Sequence, residues 1–329
     1  MAYHSTSGTA ANTADMLVKL KDFLVTNCGW SLHDDGSALA QPYYVFKSSG
    51  ESGCEDIYLQ FINDSNVDMI SVHAMLYWNA ATHVAVKEAF SSGATFFSTK
   101  DSAAFLYWLY ADLDHVYIVT KITATYYGHY SGIIKRYWSP VSATTLTGAN
   151  AGSNVTVQVS DASIFAVGSR YIIKDNANIE RVQVSARDTL SSPNTITLAT
   201  LVSSYALGAK IGEDPQPVIV GRNTMPGQFY AVNKFDGWAS AATHTGNCAS
   251  ISTTYVAYAD PDYRYGLCAM FPWLAFMTGT SFEELRGELI EVYCIGPSAG
   301  DSEDVLDMGN GTTYKIFNLS GPSWCAIKE

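Results

Sequence analysis

The spacing of apolar residues divides the chain into one helix followed by many short strands. Thr13 is placed to cap a helix in which Met16, Leu17, Leu20, Phe23 and Leu24 share one face, and Gly29 follows its last turn as a stop. The period then shortens. Strands are predicted at Trp30–His33, Tyr43–Lys47 and Ile57–Ile62, with turns at Asp34–Gly36 and Gly50–Gly53 between them. In Ile57, Leu59 and Phe61 the apolar side chains alternate, which gives that strand one buried face. Residues 66–78 read as a further strand, and 80–90 (AATHVAVKEAF) fit a helix or a loop. FLYWLYADLDHVYIVTKI predicts two antiparallel strands around a tight turn at Asp112–Asp114. Tyr126–Tyr137 is assigned to a second helix, although its aromatics also suit a strand.

Between residues 141 and 215 the pattern changes character. The flanks, 115–140 and 216–232, are aromatic and apolar; the interior is rich in Thr, Ser, Val and Gly and poor in aromatics. NVTVQVSDASIF alternates, VGSRYIIKDNANIERVQVSARD folds back at Asp175–Asn178, and TITLATLVSSYALGAKI adds a strand, a turn and a strand. Short strands at this spacing predict a small antiparallel barrel or sandwich. The phrases around Phe165–Val167–Gly168 and Leu207–Gly208–Ala209 resemble the small β barrels that recur as inserts in phage tail and fibre proteins. After the insert, a short helix is predicted at Phe282–Arg286, capped by Thr280 or Ser281, then a strand at Leu289–Ile295. Asn310–Gly311 marks a hairpin within VLDMGNGTTYKIFNL, and a last strand covers Trp324–Lys328. The expected fold is α+β, mainly β. A discontinuous host domain, 1–140 and 216–329, has antiparallel strands and an N-terminal helix, and an all-β domain at 141–215 interrupts it.

Composition narrows the function classes. The 329 residues are 47% hydrophobic and only 15% charged, with 21 tyrosines, which suits a folded chain with much covered surface. The formal net charge of -12 excludes a general nucleic-acid binder, which needs a basic face. The segment MAYHSTSGTAANTAD has neither a basic start nor an apolar run, so no secretory signal is expected. The apolar stretch at 267–277 is too short to span a bilayer and contains a proline. Six cysteines (28, 54, 248, 268, 294 and 325) lack CxxC spacing and read as free thiols of a protein made in a reducing cytoplasm. The sharper alternative is that some of them oxidise later, in an extracellular particle.

No constellation for catalysis stands out. The seven histidines show no HxxxH or HExxH pair, no glycine-rich loop leads into a helix with phosphate-binding spacing, and there is no GxSxG elbow. Glu283–Glu284 read as the solvated first turn of the predicted helix. Asp301, Glu303, Asp304 and Asp307 could bind calcium but lack EF-hand spacing, and a solvated acidic loop is favoured. Two Asn-x-Thr sequons, at Asn154 and Asn310, matter only in a secretory pathway. The expectation is therefore no enzyme activity, no cofactor and no required metal.

A set of phrases along the host domain carries a resemblance. Gly29–Trp30 follows the helix, and YVFKSSGESGCEDIYLQF occupies 44–61. Tyr126, Tyr130 and Gly132 form a Tyr-x-x-x-Tyr-x-Gly phrase. Val218–Gly221, Glu288–Tyr293, Asp301–Asp304 and Tyr314–Phe317 follow in order. That order is similar to a group of virion structural proteins of tailed bacteriophages of roughly 300 residues, from which this chain departs by carrying the 141–215 module. The resemblance implies a subunit of a homo-oligomeric ring in the tail, baseplate or head-to-tail neck, assembled in the bacterial cytoplasm and contacting other virion proteins. The alternative is a host-attachment or carbohydrate-binding module. A lectin would carry aromatics on the loops of the insert, whose only ones, Phe165, Tyr171 and Tyr205, read as core. The residues expected at the subunit interface flank the insert: Tyr107, Trp108, Arg136, Tyr137, Trp138, Arg222 and Met225. Large aromatics and arginine carry interface energy, and an unpaired buried charge at either arginine is costly.

Overall fold

The computed structural model describes residues 3–51, 55, 57–64, 69–88, 95–97, 103–136, 143–175, 178–212, 218–221, 228–232, 245–249, 270–278, 283–295, 300–319 and 323–329. The first part of the chain builds two sheets around one helix. β1 (His4–Ala10) leads into α1 (Thr13–Thr26). Thr13 is the first helical residue, and the cap is Asn12, one position earlier, whose side chain accepts from the Asp15 N–H at 2.9 Å. The Asp15 carboxylate returns to the Ala11 N–H at 2.8 Å, so one orphan donor of the first turn and the N–H just before the cap are both satisfied. Gly29 then takes φ +76, the left-handed region that ends helices.

β2 (Ser31–Asp35), β3 (Tyr43–Ser48), β4 (Ile57–Asp64), β5 (Met69–Asn79) and β6 (Val84–Glu88) follow as an antiparallel sheet in sequence order, with β7 (Thr95–Phe97) also against β5. The segment 80–90, open between helix and loop in the sequence, therefore contains an edge strand. Asn79 decides this locally: its side chain accepts the N–H groups of Ala81 and Thr82 and turns the chain back on β5. β8 (Phe105–Ala111) and β9 (His115–Ile122) form the expected hairpin, and β10 (Thr125–Gly132) continues it antiparallel from Ile122↔Thr125 to His115↔Gly132. The helix assigned to Tyr126–Tyr137 is thus a strand as far as Gly132, followed by β11 (Lys135–Arg136); Tyr137 lies outside the described residues. Gly128 and Gly132 weaken a helix here, and pairing with β9 buries Tyr126 and Tyr130.

The helix sits in one core with Phe46, Leu59 and Val72 of the first sheet and Tyr107, Leu109 and Ile118 of the β8–β9 hairpin. Trp108, Tyr110, Tyr117 and Val119 point the other way into a second core. Burial on both faces explains why these two strands read as almost continuous apolar runs.

Residues 143–212 form a closed barrel. Its strands are β12 (Ala143–Thr145), β13 (Gly152–Val159), β14 (Arg170–Lys174), β15 (Ile179–Asp188), β16 (Asn194–Leu201) and β17 (Lys210–Gly212). The order is β12-β17-β14-β15-β16-β13, and the bridge Leu146↔Val159 returns the chain beyond β12 to β13. Each strand thus has two neighbours, β13 meeting its second only at that bridge. The barrel also repeats itself. Exchanging β12, β13 and β14 with β15, β16 and β17 reproduces every pairing in the ring. Phe165-Ala-Val-Gly and Tyr205-Ala-Leu-Gly occupy equivalent places: each aromatic is buried, and each glycine has a left-handed φ, +89 at Gly168 and +87 at Gly208. Each phrase closes a matching turn, Ser169 N–H to Ala166 O and Ala209 N–H to Ala206 O, both 3.1 Å. Val157, Val159, Phe165, Ile196, Leu198 and Tyr205 lie in the barrel's own core.

The remaining strands extend the host sheet: β18 (Val218–Gly221), β19 (Gln228–Val232), β20 (Thr245–Ala249), β21 (Met270–Thr278), β22 (Glu283–Ile295), β23 (Val305–Asp307), β24 (Thr313–Leu319) and β25 (Ser323–Lys328). The sheet order is β1-β8-β9-β10-β18-β19-β20-β21-β22-β25-β24-β23, and a parallel pairing of Tyr126 with Leu319 brings β24 back beside β10. The sheet therefore curls onto itself around the second core. The helix expected at Phe282–Arg286 is replaced by the start of β22, where Glu283 and Glu284 pair with Thr278 and Met277. Thr280, Ser281 and Phe282 lie outside the described residues. The hairpin at Asn310–Gly311 forms between β23 and β24, and the last strand begins one residue earlier than expected.

Candidate functional site

The barrel is mounted on a hairpin. β10, followed by the short β11 on β22, precedes it in sequence and β18 follows it; β10 and β18 pair antiparallel through Ser131↔Val220 and Gly132↔Ile219. The barrel's own first and last strands pair through Ala143↔Gly212. Paired antiparallel residues lie about 5 Å apart, so a module whose ends meet takes the place of a hairpin loop without stretching the host sheet. Lys210 adds a direct tie, its Nζ donating to the Glu55 carbonyl at 3.3 Å. The mounting depends on Gly132, whose φ is +135. A Cβ there would overlap the Asp114 carbonyl oxygen and lie 2.5 Å from the His115 Cα.

The residues expected at an interface fall into three groups. Tyr107 is 8% exposed and packs in the helix core, its hydroxyl lying close over Gly8. Trp108 is 7% exposed, edge-on to Phe317 at 5.2 Å and tilted against Tyr126 at 5.9 Å. Both rings are thus occupied within the chain. Arg136 is placed by its backbone, paired with Gly287 on β22, next to the Lys135–Glu288 ion pair of 2.6 Å. Tyr137, Trp138, Arg222 and Met225 lie outside the described residues.

Apolar surface appears instead on the barrel. Val167 and Leu207, equivalent turn residues of its two halves, are 57% and 79% exposed. Leu190, in the β15–β16 connection, and Val202, just after β16, are 96% and 78% exposed. Because β14 and β17 run antiparallel, the turns that precede them lie at opposite ends of that strand pair. The barrel therefore presents an apolar side chain at each end, held by a glycine turn. The sequence signal for these positions is a single large aliphatic residue inside a Gly/Ser-rich turn, where burial has no claim on it. Phe165, Tyr171 and Tyr205 are all core, as read from the sequence.

Polar clusters serve the fold. Asp112 accepts the backbone N–H groups of Asp114 and His115 and faces His115 Nδ1 at 2.9 Å. Burial pushes its pKa up, but the His115 charge and these hydrogen bonds outweigh it and leave the carboxyl below its usual range. The neighbouring Asp114 is raised to about 6 by burial. His115 stacks between Tyr130 and Tyr3, at 5.2 and 5.9 Å. A second cluster, invisible in the sequence because its members are up to 49 residues apart, centres on Asp34 Oδ2, which faces Trp78 Nε1 at 2.6 Å, His83 Nδ1 at 2.7 Å and the Tyr43 hydroxyl at 3.0 Å. Burial raises the Asp34 pKa, and these partners lower it further than burial lifts it. It ties the turn before β6 to β2 and β3.

In the acidic loop, Glu303 Oε1 accepts from Lys121 at 2.8 Å and from the Tyr126 hydroxyl at 2.5 Å, and Asp304 accepts the Asp301 N–H at 2.8 Å. Glu303 thus fastens the loop to β9 and β10, and Asp304 braces the loop internally. Among the described residues no three His, Cys, Asp or Glu side chains are grouped to hold a metal. Compared with known proteins, the chain matches no protein-family model and no curated protein.

Proposed function

We propose that this chain is a non-enzymatic structural component of a tailed-phage virion, one subunit of a ring in the tail, baseplate or neck that contacts neighbouring virion proteins. The observation that carries the reading is the mounted barrel. A module mounted on the host sheet, with Val167 and Leu207 exposed at opposite ends, supports the reading, since it can reach other chains while leaving the host sheet undisturbed. The order of host-domain phrases, from Tyr126-x-x-x-Tyr-x-Gly to Tyr314–Phe317, supports the same particle class by resemblance. Burial of such apolar tips against identical or neighbouring subunits supplies association without any chemistry at a cleft. The alternative of sugar stacking finds no support in the barrel's three aromatics, which fill its core.

The test is immunolabelling of purified virions with an antibody to the barrel, with subunit copy number measured by quantitative mass spectrometry. Labelling at one level of the particle axis, at a copy number fitting a ring, is expected. Absence of the chain from purified particles refutes the reading. Val167→Asp and Leu207→Asp, made in the phage genome, should each yield folded but poorly incorporated subunits.

A further inference from the structure

Two cysteines face each other across the curled sheet. β22 and β25 run antiparallel with Cys294 directly opposite Cys325. Both side chains enter the same core as Val292, Phe317 and Ile327, whereas the intervening Tyr293 and Ala326 turn to the other face. Both side chains are buried and neither is joined in a disulfide. Directly opposed antiparallel residues have Cα atoms about 4.5 or 5.5 Å apart, according to the kind of pair. A disulfide needs roughly 4.4–6.8 Å, so either kind accommodates one, and a shared face supplies the required Cβ direction. Cys28 lies in the separate helix core.

We infer that Cys294 and Cys325 form a cross-strand disulfide when the protein is exposed to a disulfide oxidant such as oxidised glutathione. The Cys294 thiolate, exposed when the strand pair opens, attacks one glutathione sulfur and releases one glutathione thiolate. Cys325 then attacks the Cys294 sulfur of the mixed disulfide and releases the second. Two protein thiols lose two protons and two electrons, and one oxidised glutathione becomes two reduced ones. The bond joins β22 to β25 and closes the segment that carries the acidic loop and β24. Burial holds the Cys325 thiol well above its usual pKa, so exchange waits on opening of the β22–β25 pair, and the finished bond is equally shielded from reductants. The pair belongs to the host sheet, and its chemistry is independent of the proposed assembly role.

The test uses the full chain, incubated with oxidised glutathione at mildly alkaline pH in sub-denaturing urea, then acid-quenched, denatured, alkylated and digested. The expected product is a peptide pair joining Cys294 to Cys325, with Cys28 alkylated and Tm raised by roughly 5 °C. Cys294→Ala should leave Cys325 free to alkylation or capped by glutathione. Recovery of both cysteines alkylated, each separately glutathionylated, or linked to other cysteines overturns the inference.

Discussion

Replacing Phe165 with alanine should destabilise the barrel and leave the host's stability unchanged. Phe165 is fully buried, lies edge-on to Tyr171 at 4.8 Å, and belongs to a core made of barrel residues alone. Its carbonyl also accepts from the Arg187 guanidinium at 2.5 Å, so its backbone position is fixed and the site collapses poorly when the ring is removed. Phe→Ala in such a core costs about 3–5 kcal/mol. A module of about 70 residues is stable by roughly 3.5–10 kcal/mol at the usual per-residue range. The substitution therefore removes from about a third to all of the barrel's stability, while the host cores lose no packing atom. Hydrogen exchange read by mass spectrometry is the assay. Amides of β13 to β16 should lose protection by two or more orders of magnitude, and those of β8 and β9 should keep theirs. Leu109→Ala, in the helix core, should do the reverse. Equal loss of protection in both regions from either variant would show that barrel and host unfold as one unit, and would refute the independence of the insert.

Two glycines separate the effects of space and of backbone conformation. Gly132→Ala meets both a left-handed φ and the backbone of Asp114 and His115, and should cost at least about 3 kcal/mol in a chemical-denaturation midpoint; Gly168→Ala, at φ +89 with nothing near its Cβ, should cost about 1–2 kcal/mol. His129 is buried, and burial lowers its pKa to about 3. Below about pH 6.5 the unfolded chain therefore binds a proton that the folded chain refuses, and this group removes about 1.4 kcal/mol of stability per pH unit as pH falls towards 3. Asp114, raised to about 6, acts with the opposite sign as pH falls from 6 towards 4, because the folded state takes the proton first. His129→Gln should make the protein more stable at pH 5 than at pH 6 by urea titration, and Asp114→Asn should make it less stable. Parallel profiles for the two variants would contradict the linkage.

Local pattern alone determined much of this molecule. The face of α1, the turns at Asp112–Asp114, Asp175–Asn178 and Asn310–Gly311, and the change of composition at the insert are all written in neighbours a few residues apart. Each rests on short-range chemistry: helical spacing, turn-forming side chains, alternation. The cap moved only from Thr13 to Asn12, because both can accept a hydrogen bond and backbone geometry chose between them. Where local preference was shallow, pairing between distant strands decided. Tyr126–Gly132 and Glu283–Leu285 became strands because β9 and β21 offered them ladder partners, against helix propensities that differ by no more than about 1 kcal/mol per residue. Alternation also says that a strand has two faces and is silent on what covers them. Only the curled sheet shows that Tyr107 and Trp108 spend their rings inside the chain and that the exposed apolar residues sit on the barrel's turns. The facing of Cys294 and Cys325 and the gathering of Trp78 and His83 around Asp34 belong to the same class, since register between distant segments is set by the whole sheet.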